Sequence, residues 1–199
     1  MAKTLDFIFD FASPNAYLCY RVLPPMLKRT GARLNLIPCL LGGLFKATGN
    51  QAPMAAFGAV KGKLAYEALE TARFVAANKL TAYRFNPNFP MNSLLIMRGL
   101  VAAGMDGDPV SYVECVLKAM WEDGKKMDDP QVVAAVLADG GLNAPQLLAR
   151  IQAPEVKAKL ASNTEAAAAR GVFGIPTFFV GDEMFFGKER LGQVEAELV

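Results

Sequence analysis

A chain of 199 residues, 53% hydrophobic and 20% charged, holds one domain or one domain with an insertion, and can bury a full core without disulfides. A net charge of +2 with no basic run lacks the electrostatic footprint of nucleic-acid binding, and no apolar run approaches the roughly 18 residues of a membrane span. Histidine is absent, which excludes Ser-His-Asp and Cys-His nucleophiles and His-ligated zinc or haem, and no other metal-ligand set is legible.

The N-terminus, Met1-Ala2-Lys3-Thr4-Leu5-Asp6, meets an acidic residue before any long apolar stretch, a pattern that predicts no signal peptide. Residues Thr4 to Phe11 alternate, with Leu5, Phe7, Phe9 and Phe11 on one side and Thr4, Asp6 and Asp10 on the other. Ile8 breaks the polar face, as expected of a strand covered on both sides. Ser13-Pro14 reads as an N-cap and first helical residue, opening a helix through Tyr17, Leu18 and Val22 with a kink or break near Pro24-Pro25. Thr30-Gly31 closes it, and Arg33 to Ile37 alternates as a second strand ending at Pro38, which completes a β-α-β unit.

Leu40 to Pro53, rich in glycine (Gly42, Gly43, Gly49), reads as a loop. From about Ala59 to Arg170 nearly everything reads helical. Lys63 to Asn78 carries apolar residues at helical spacing, Asp108-Pro109 and Asp129-Pro130 are N-cap and N1 pairs, and Gly140-Gly141 is a stop. Pro154 opens a helix that ends near Gly171. Pro176 to Val180 reads as a strand, Gly181-Asp182 as a turn, Glu183 to Phe186 as its hairpin partner, and Arg190 to Leu198 as a last helix. This order predicts an α/β thioredoxin-like fold with a large all-helical insertion: residues 1–50 and 171–199 form the thioredoxin-like part and 51–170 the insertion.

In such a fold Ser13 stands just after the first strand, at the start of the first helix, where free N–H groups and the helix dipole favour an anion. A thiol redox enzyme carries C-x-x-C there, but this chain has Ser13-Pro14-Asn15-Ala16, so the site cannot exchange disulfides. Cys19, Cys39 and Cys115 are odd in number and widely spaced, which suits a reducing compartment and makes the cytoplasm the expected address. Two readings of Ser13 stay open: a plain N-cap, or a hydroxyl that donates to a thiolate brought by glutathione.

The segment from Phe7 to Leu18 resembles the opening of 2-hydroxychromene-2-carboxylate isomerases and kappa-class glutathione transferases, relatives of the DsbA-like thioredoxin fold. The resemblance continues at Leu41 to Asn50, at Phe85 to Asn92 and at Ala119-Met120-Trp121, and is strongest from Gly171 to Gly187. It implies a glutathione-dependent isomerase converting 2-hydroxychromene-2-carboxylate to trans-o-hydroxybenzylidenepyruvate in aromatic catabolism, as a homodimer, with no nucleic-acid or membrane partner. Two alternatives remain: a kappa-like glutathione transferase or peroxidase, and a non-catalytic member that binds glutathione or a peptide.

Residue by residue, the resemblance gives Ser13 the glutathione sulfur and Asn50 a contact to the tripeptide, although Asn50 also fits a Thr-Gly-Asn turn. Ile175 would pair its backbone with the extended peptide if Ile175-Pro176 is cis, and Lys188 and Glu189 would meet the γ-glutamyl end. The family usually has aspartate at the position of Glu189, and both side chains also read as plain surface charges. For a small aromatic carboxylate the candidates are Lys46 and Lys63, Tyr66 in a K-x-x-Y pair with Lys63, and Phe89, Asn92 and Trp121. Phe89 and Trp121 fit a core equally well.

Overall fold

The computed structural model describes residues 2–199. Strand β1 (Thr4–Phe9) runs into helix α1 (Pro14–Thr30) and strand β2 (Arg33–Pro38). Eight helices follow: α2 (Leu41–Thr48), α3 (Pro53–Phe57), α4 (Lys63–Ala77), α5 (Leu94–Asp106), α6 (Pro109–Trp121), α7 (Pro130–Asp139), α8 (Ala144–Arg150) and α9 (Pro154–Ala169). Strands β3 (Thr177–Val180) and β4 (Glu183–Phe186), a 3-10 turn (Lys188–Arg190) and α10 (Leu191–Leu198) complete the chain.

The sheet order is β2-β1-β3-β4. β1 lies parallel to β2, with Phe7 opposite Leu36, and antiparallel to β3, with Phe7 opposite Phe178. β1 is central, so Leu5, Phe7, Ile8 and Phe9 are all buried, as a strand covered on both faces requires. The fold is the expected thioredoxin-like α/β sheet with a helical insertion.

Two local expectations fail and a third is narrowed. Of the kink or break expected near Pro24-Pro25, the break is absent, and helix α1 continues to Thr30. Both prolines are exposed and offer no N–H to the Tyr20 and Arg21 carbonyls, while Leu23 and Met26 are buried and hold the helix down. Residues Leu40 to Pro53 are not a loop, because α2 occupies most of them. The Leu40 cap offers α2 no side-chain bond, but the Asp10 carboxylate accepts from the Leu41 N–H at 2.7 Å, from across the fold. Gly43 allows close approach: a Cβ there would lie 3.3 Å from the Thr164 methyl on α9.

Residues 78–93 are also not helical. Buried Asn86 organises this stretch, donating to the carbonyls of Met120 at 2.7 Å and Lys125 at 2.8 Å and accepting from the Asn88 N–H at 2.8 Å. The Phe89-Pro90 peptide there is cis. One buried apolar cluster joins the sheet, α1 and helices α5 to α10. Among the described residues no helix is long and apolar enough to cross a membrane.

Candidate active site

Ser13 caps α1 from an extended backbone (φ −90°, ψ 112°) and is 4% exposed. Its Oγ accepts from the Ala16 N–H at 3.2 Å and donates to the Ile175 carbonyl at 2.9 Å. Pro14 has no N–H, and the Ala16 N–H is already used, which leaves the Asn15 N–H free in the first turn among the described residues. The site therefore offers an anion a hydroxyl, a backbone donor and the positive end of a helix dipole.

The Ile175-Pro176 peptide is cis, as the resemblance required. Its loop is flanked by Phe173 and Phe186, whose ring centroids lie 4.6 Å apart. Gly174 lets Phe186 approach, since a Cβ there would stand 2.8 Å from that ring. Asn50 reaches the same loop, donating from Nδ2 to the Phe173 carbonyl at 2.7 Å and accepting the Gln51 N–H at Oδ1. Ser13, Asn50 and Ile175 thus converge on one short segment.

The rear of the site is aromatic. Trp121 is fully buried and donates from Nε1 to the Phe11 carbonyl at 2.8 Å, two residues before Ser13. Tyr17 stacks on Tyr83 (5.6 Å), and Tyr83 on Trp121 (6.3 Å). Phe89 lies 6.0 Å from Trp121 and 5.3 Å from Phe85, which is 57% exposed and ends the series at the surface. Trp121 is thus core and scaffold, while Phe89 bridges it to solvent. Tyr83 and Phe85, not among the residues the resemblance implies, extend this aromatic series. The aromatic spacing of Tyr83, Phe85 and Phe89 was the available signal.

Behind Ser13 sits Asp10, fully buried, whose carboxylate accepts from the Ala12 N–H (2.8 Å), the Leu41 N–H (2.7 Å) and the Ser93 hydroxyl (2.9 Å). Burial raises its pKa above the ordinary 3.8, and these three bonds partly offset that shift. The Asp10 carbonyl also accepts the Ser13 N–H at 3.1 Å, so this residue holds the turn that carries the hydroxyl.

The other predicted residues are more scattered. Lys188 is 3% exposed, pairs with Glu189, and lies 5.9 Å from the Phe74 ring centroid. It lines a cavity of about 400 Å³ with Val22, Met26 and Arg29 of α1. Lys188 is therefore a buried cation rather than a surface charge, and Gly187 just before it donates to the Pro176 carbonyl at 3.0 Å, which ties this end of the chain to the Ile175-Pro176 peptide. Glu189 is more exposed, and the Lys188 ammonium helps hold its pKa below the usual carboxylate value against the effect of burial.

Lys63 is committed to Glu67 (2.6 Å) and lies 5.5 Å from the Phe57 ring centroid, with Tyr66 exposed one turn on. Lys46, in the last turn of α2, is exposed and has no acidic partner among the described residues. Asn92 accepts the Leu94 N–H at 2.9 Å, which makes it a local turn residue of the segment entering α5. A larger concavity of about 520 Å³ opens between β2 and helices α5 and α6, but Ser13 does not line it.

No thiol of the chain serves the site. Cys19 and Cys39 are buried, and burial pushes the Cys39 thiol up to about 12 and raises Cys19 further. Cys115, half-buried, is also raised by burial and donates to the Val136 carbonyl at 3.3 Å.

Comparison with known proteins gives this geometry its relatives. A family model described as DSBA-like thioredoxin domain matches residues 4–199. A 2-hydroxychromene-2-carboxylate isomerase from Sphingobium xenophagum is 31% identical over 202 aligned residues, covering 100% of both chains. Human glutathione S-transferase kappa 1 is 27% identical, with 96% of this chain and 88% of that one covered. A solved 2-hydroxychromene-2-carboxylate isomerase structure superposes with a TM-score of 0.83 at 28% identity, covering 97% of this chain and 93% of the other. With a match that runs from β1 to the last residue and a full-length relative above 30% identity, the chain belongs to the DSBA-like thioredoxin-domain family, alongside the 2-hydroxychromene-2-carboxylate isomerases.

Proposed function

We propose that the protein is a glutathione-dependent isomerase of the 2-hydroxychromene-2-carboxylate type, acting in the cytoplasm as a homodimer. The observation that carries this reading is the buried Ser13 hydroxyl at the start of α1, facing the Ile175 carbonyl where a thioredoxin-type enzyme would carry a cysteine. The thiol must come from a ligand, because the chain's own thiols are withdrawn from the site. The full-length relatives named as isomerases supply the reaction class.

Glutathione lies with its cysteine along Ile175 and its sulfur at Ser13, Asn50 contacts the tripeptide, and Glu189, backed by Lys188, meets the γ-glutamyl ammonium. A free thiol has a pKa of about 8.5, so lowering it by two units takes about 2.7 kcal/mol of preferential thiolate stabilisation. A charge-assisted hydrogen bond at about 1.5–3 kcal/mol and a helix-dipole term of about 0.3–1 kcal/mol together match that.

The thiolate adds to the conjugated chain of the ring-opened substrate, forming a C–S bond and turning the adjacent double bond single, with the electron pair moving onto the carbonyl oxygen. Rotation about that single bond is free. The electron pair then returns, the C–S bond breaks, and the trans product leaves with glutathione regenerated. The substrate ring lies against Phe85 and Phe89, which Trp121 backs, and its carboxylate meets Lys63, now paired with Glu67 at the surface, or Lys46, which has no acidic partner among the described residues. Tyr66 and Asn92 border the mouth. Exposed Met54, Phe57, Val60, Tyr66 and Leu69 form an apolar stretch that supports the homodimer.

The test is turnover with 2-hydroxychromene-2-carboxylate in large excess over glutathione. Many turnovers per glutathione, with free thiol undiminished at the end, are expected. Arrest when the thiol is exhausted, with a stable conjugate recovered, would make the protein a transferase of the kappa type, the class of its human relative.

A further inference from the structure

We propose that the outer edge of β2, with the cavity of about 520 Å³ beside it, is a docking groove for an extended peptide segment that alternates apolar and acidic residues. β2 ends the sheet and pairs only with β1. The Arg33 and Cys39 N–H groups donate to the Lys3 and Phe9 carbonyls at 3.0 and 2.9 Å. Backbone groups of successive residues alternate between a strand's two edges, so Leu34, Leu36 and Pro38 face away from β1. Pro38 has no N–H, and its carbonyl accepts from Asn163 Nδ2 of α9 at 3.1 Å. Leu34 and Leu36 have no such cover. Among the described residues nothing pairs with their two N–H and two C=O groups, and an uncovered edge is a template for a further strand.

The cavity follows that edge. Successive side chains of a strand point to opposite faces, yet Leu34, Asn35 and Leu36 all line the cavity, so it wraps the edge instead of lying on one face. Leu100 and Val101 of α5 and Val113 of α6 give it an apolar wall. In an antiparallel addition, the residues opposite Leu34 and Leu36 exchange both bonds with them and set their own side chains on the same face. That face is apolar, because Leu34 and Leu36 stand in register with buried Leu5 and Phe7. The intervening side chain of the incoming strand falls on the Asn35 face. Arg33 shares that face, Lys159 of α9 lines the cavity, and neither cation has an ion-pair partner among the described residues. Asp6, opposite Asn35, is already taken by Arg170 at 3.0 Å. Acidic residues at the intervening positions therefore meet unpaired positive charge. Ser13 does not line the groove, so this docking is separate from the proposed isomerase site.

The probe is a fluorescein-labelled, amidated pentapeptide alternating leucine and glutamate, followed by fluorescence anisotropy with the full chain. Saturable binding is expected, unchanged by saturating glutathione. Methylating the leucine nitrogens removes the N–H groups aimed at the Leu34 and Leu36 carbonyls and should weaken binding about tenfold. Methylating the glutamate nitrogens, which face away from β2, should change it less than about threefold. Lysine in place of glutamate should weaken it at least about threefold. On the protein, Gly104 lines the cavity and a Cβ there meets nothing within 4 Å. Gly104→Phe therefore puts a ring into the groove without displacing the core, and should abolish peptide binding while the urea midpoint holds. Equal effects of the two methylation patterns, equal binding of the lysine peptide, displacement by glutathione, or full binding to Gly104→Phe would each overturn the proposal. So would absence of binding; if Gly104→Phe then splits a dimer in sedimentation, the edge belongs to a second copy of this chain.

Discussion

Asp10 occupies a position that a surface residue of its type never needs. Its carboxylate gathers the turn before α1, the start of α2 and the residue before α5, so one side chain fixes three segments around Ser13. An amide in its place has one acceptor oxygen and one donor nitrogen, so Asp10→Asn must leave the Ala12 or the Leu41 N–H facing another donor. The expected loss is about 1–3 kcal/mol at pH 7, read as a lower urea midpoint. The pH dependence should change too. Burial raises this pKa, so the folded state binds the proton more tightly than the unfolded chain. The stability this contributes is fully present below pH 3.8 and is lost as pH rises through the folded-state pKa. Asp10→Asn should erase that segment of the urea-midpoint profile, and an unchanged slope would show that Asp10 does not titrate as its burial implies.

Elements fixed by local pattern were legible in the chain, whereas those fixed from a distance were not. β1, α1 and the β3-β4 hairpin follow from alternation, a Ser-Pro start and a Gly-Asp turn, and the structure has all three. α2 was illegible because its glycines disfavour a helix, its cap comes from Asp10, and its packing surface is Thr164 on α9. Residues 78–93 looked helical because apolar composition carries no record of Asn86, which ties the chain to carbonyls in and after α6. The site divides in the same way. Ser13 was legible as a cap because Ser-Pro marks a helix start, whereas the cis Ile175-Pro176 peptide was implied only by the resemblance. The burial of Lys188 was not legible, since Phe74 reaches it from α4, far away in sequence. The loop between α9 and β3 offers its own test. Gly174→Ala forces the Phe186 ring to move and should cost about 1–3 kcal/mol. Most of that should return in Gly174→Ala with Phe186→Ala, as a double-mutant cycle would show. Equal costs with and without the Phe186 ring would mean that the close contact is not what requires glycine.

At the scale of the whole molecule, the insertion is not a satellite. The buried cluster runs unbroken from Leu5 and Phe7 on the sheet through Tyr17 on α1 to Met97, Val116 and Val133 on the inserted helices. The only tryptophan, Trp121, sits on the junction, with its ring among inserted residues and its N–H on the Phe11 carbonyl. Tryptophan fluorescence and far-ultraviolet dichroism should therefore report one urea transition with a single midpoint, and separated midpoints would show that residues 51–170 unfold on their own. The placement of the three sulfurs has a chemical consequence at this same scale. Two are sealed in the core, the third is held to a carbonyl, and burial raises the pKa of all three, which makes each a poor partner for a mixed disulfide with a ligand's sulfur. Mild oxidants and alkylating reagents should therefore consume a free thiol in solution faster than they mark these cysteines, as a timed labelling experiment with mass spectrometry would show.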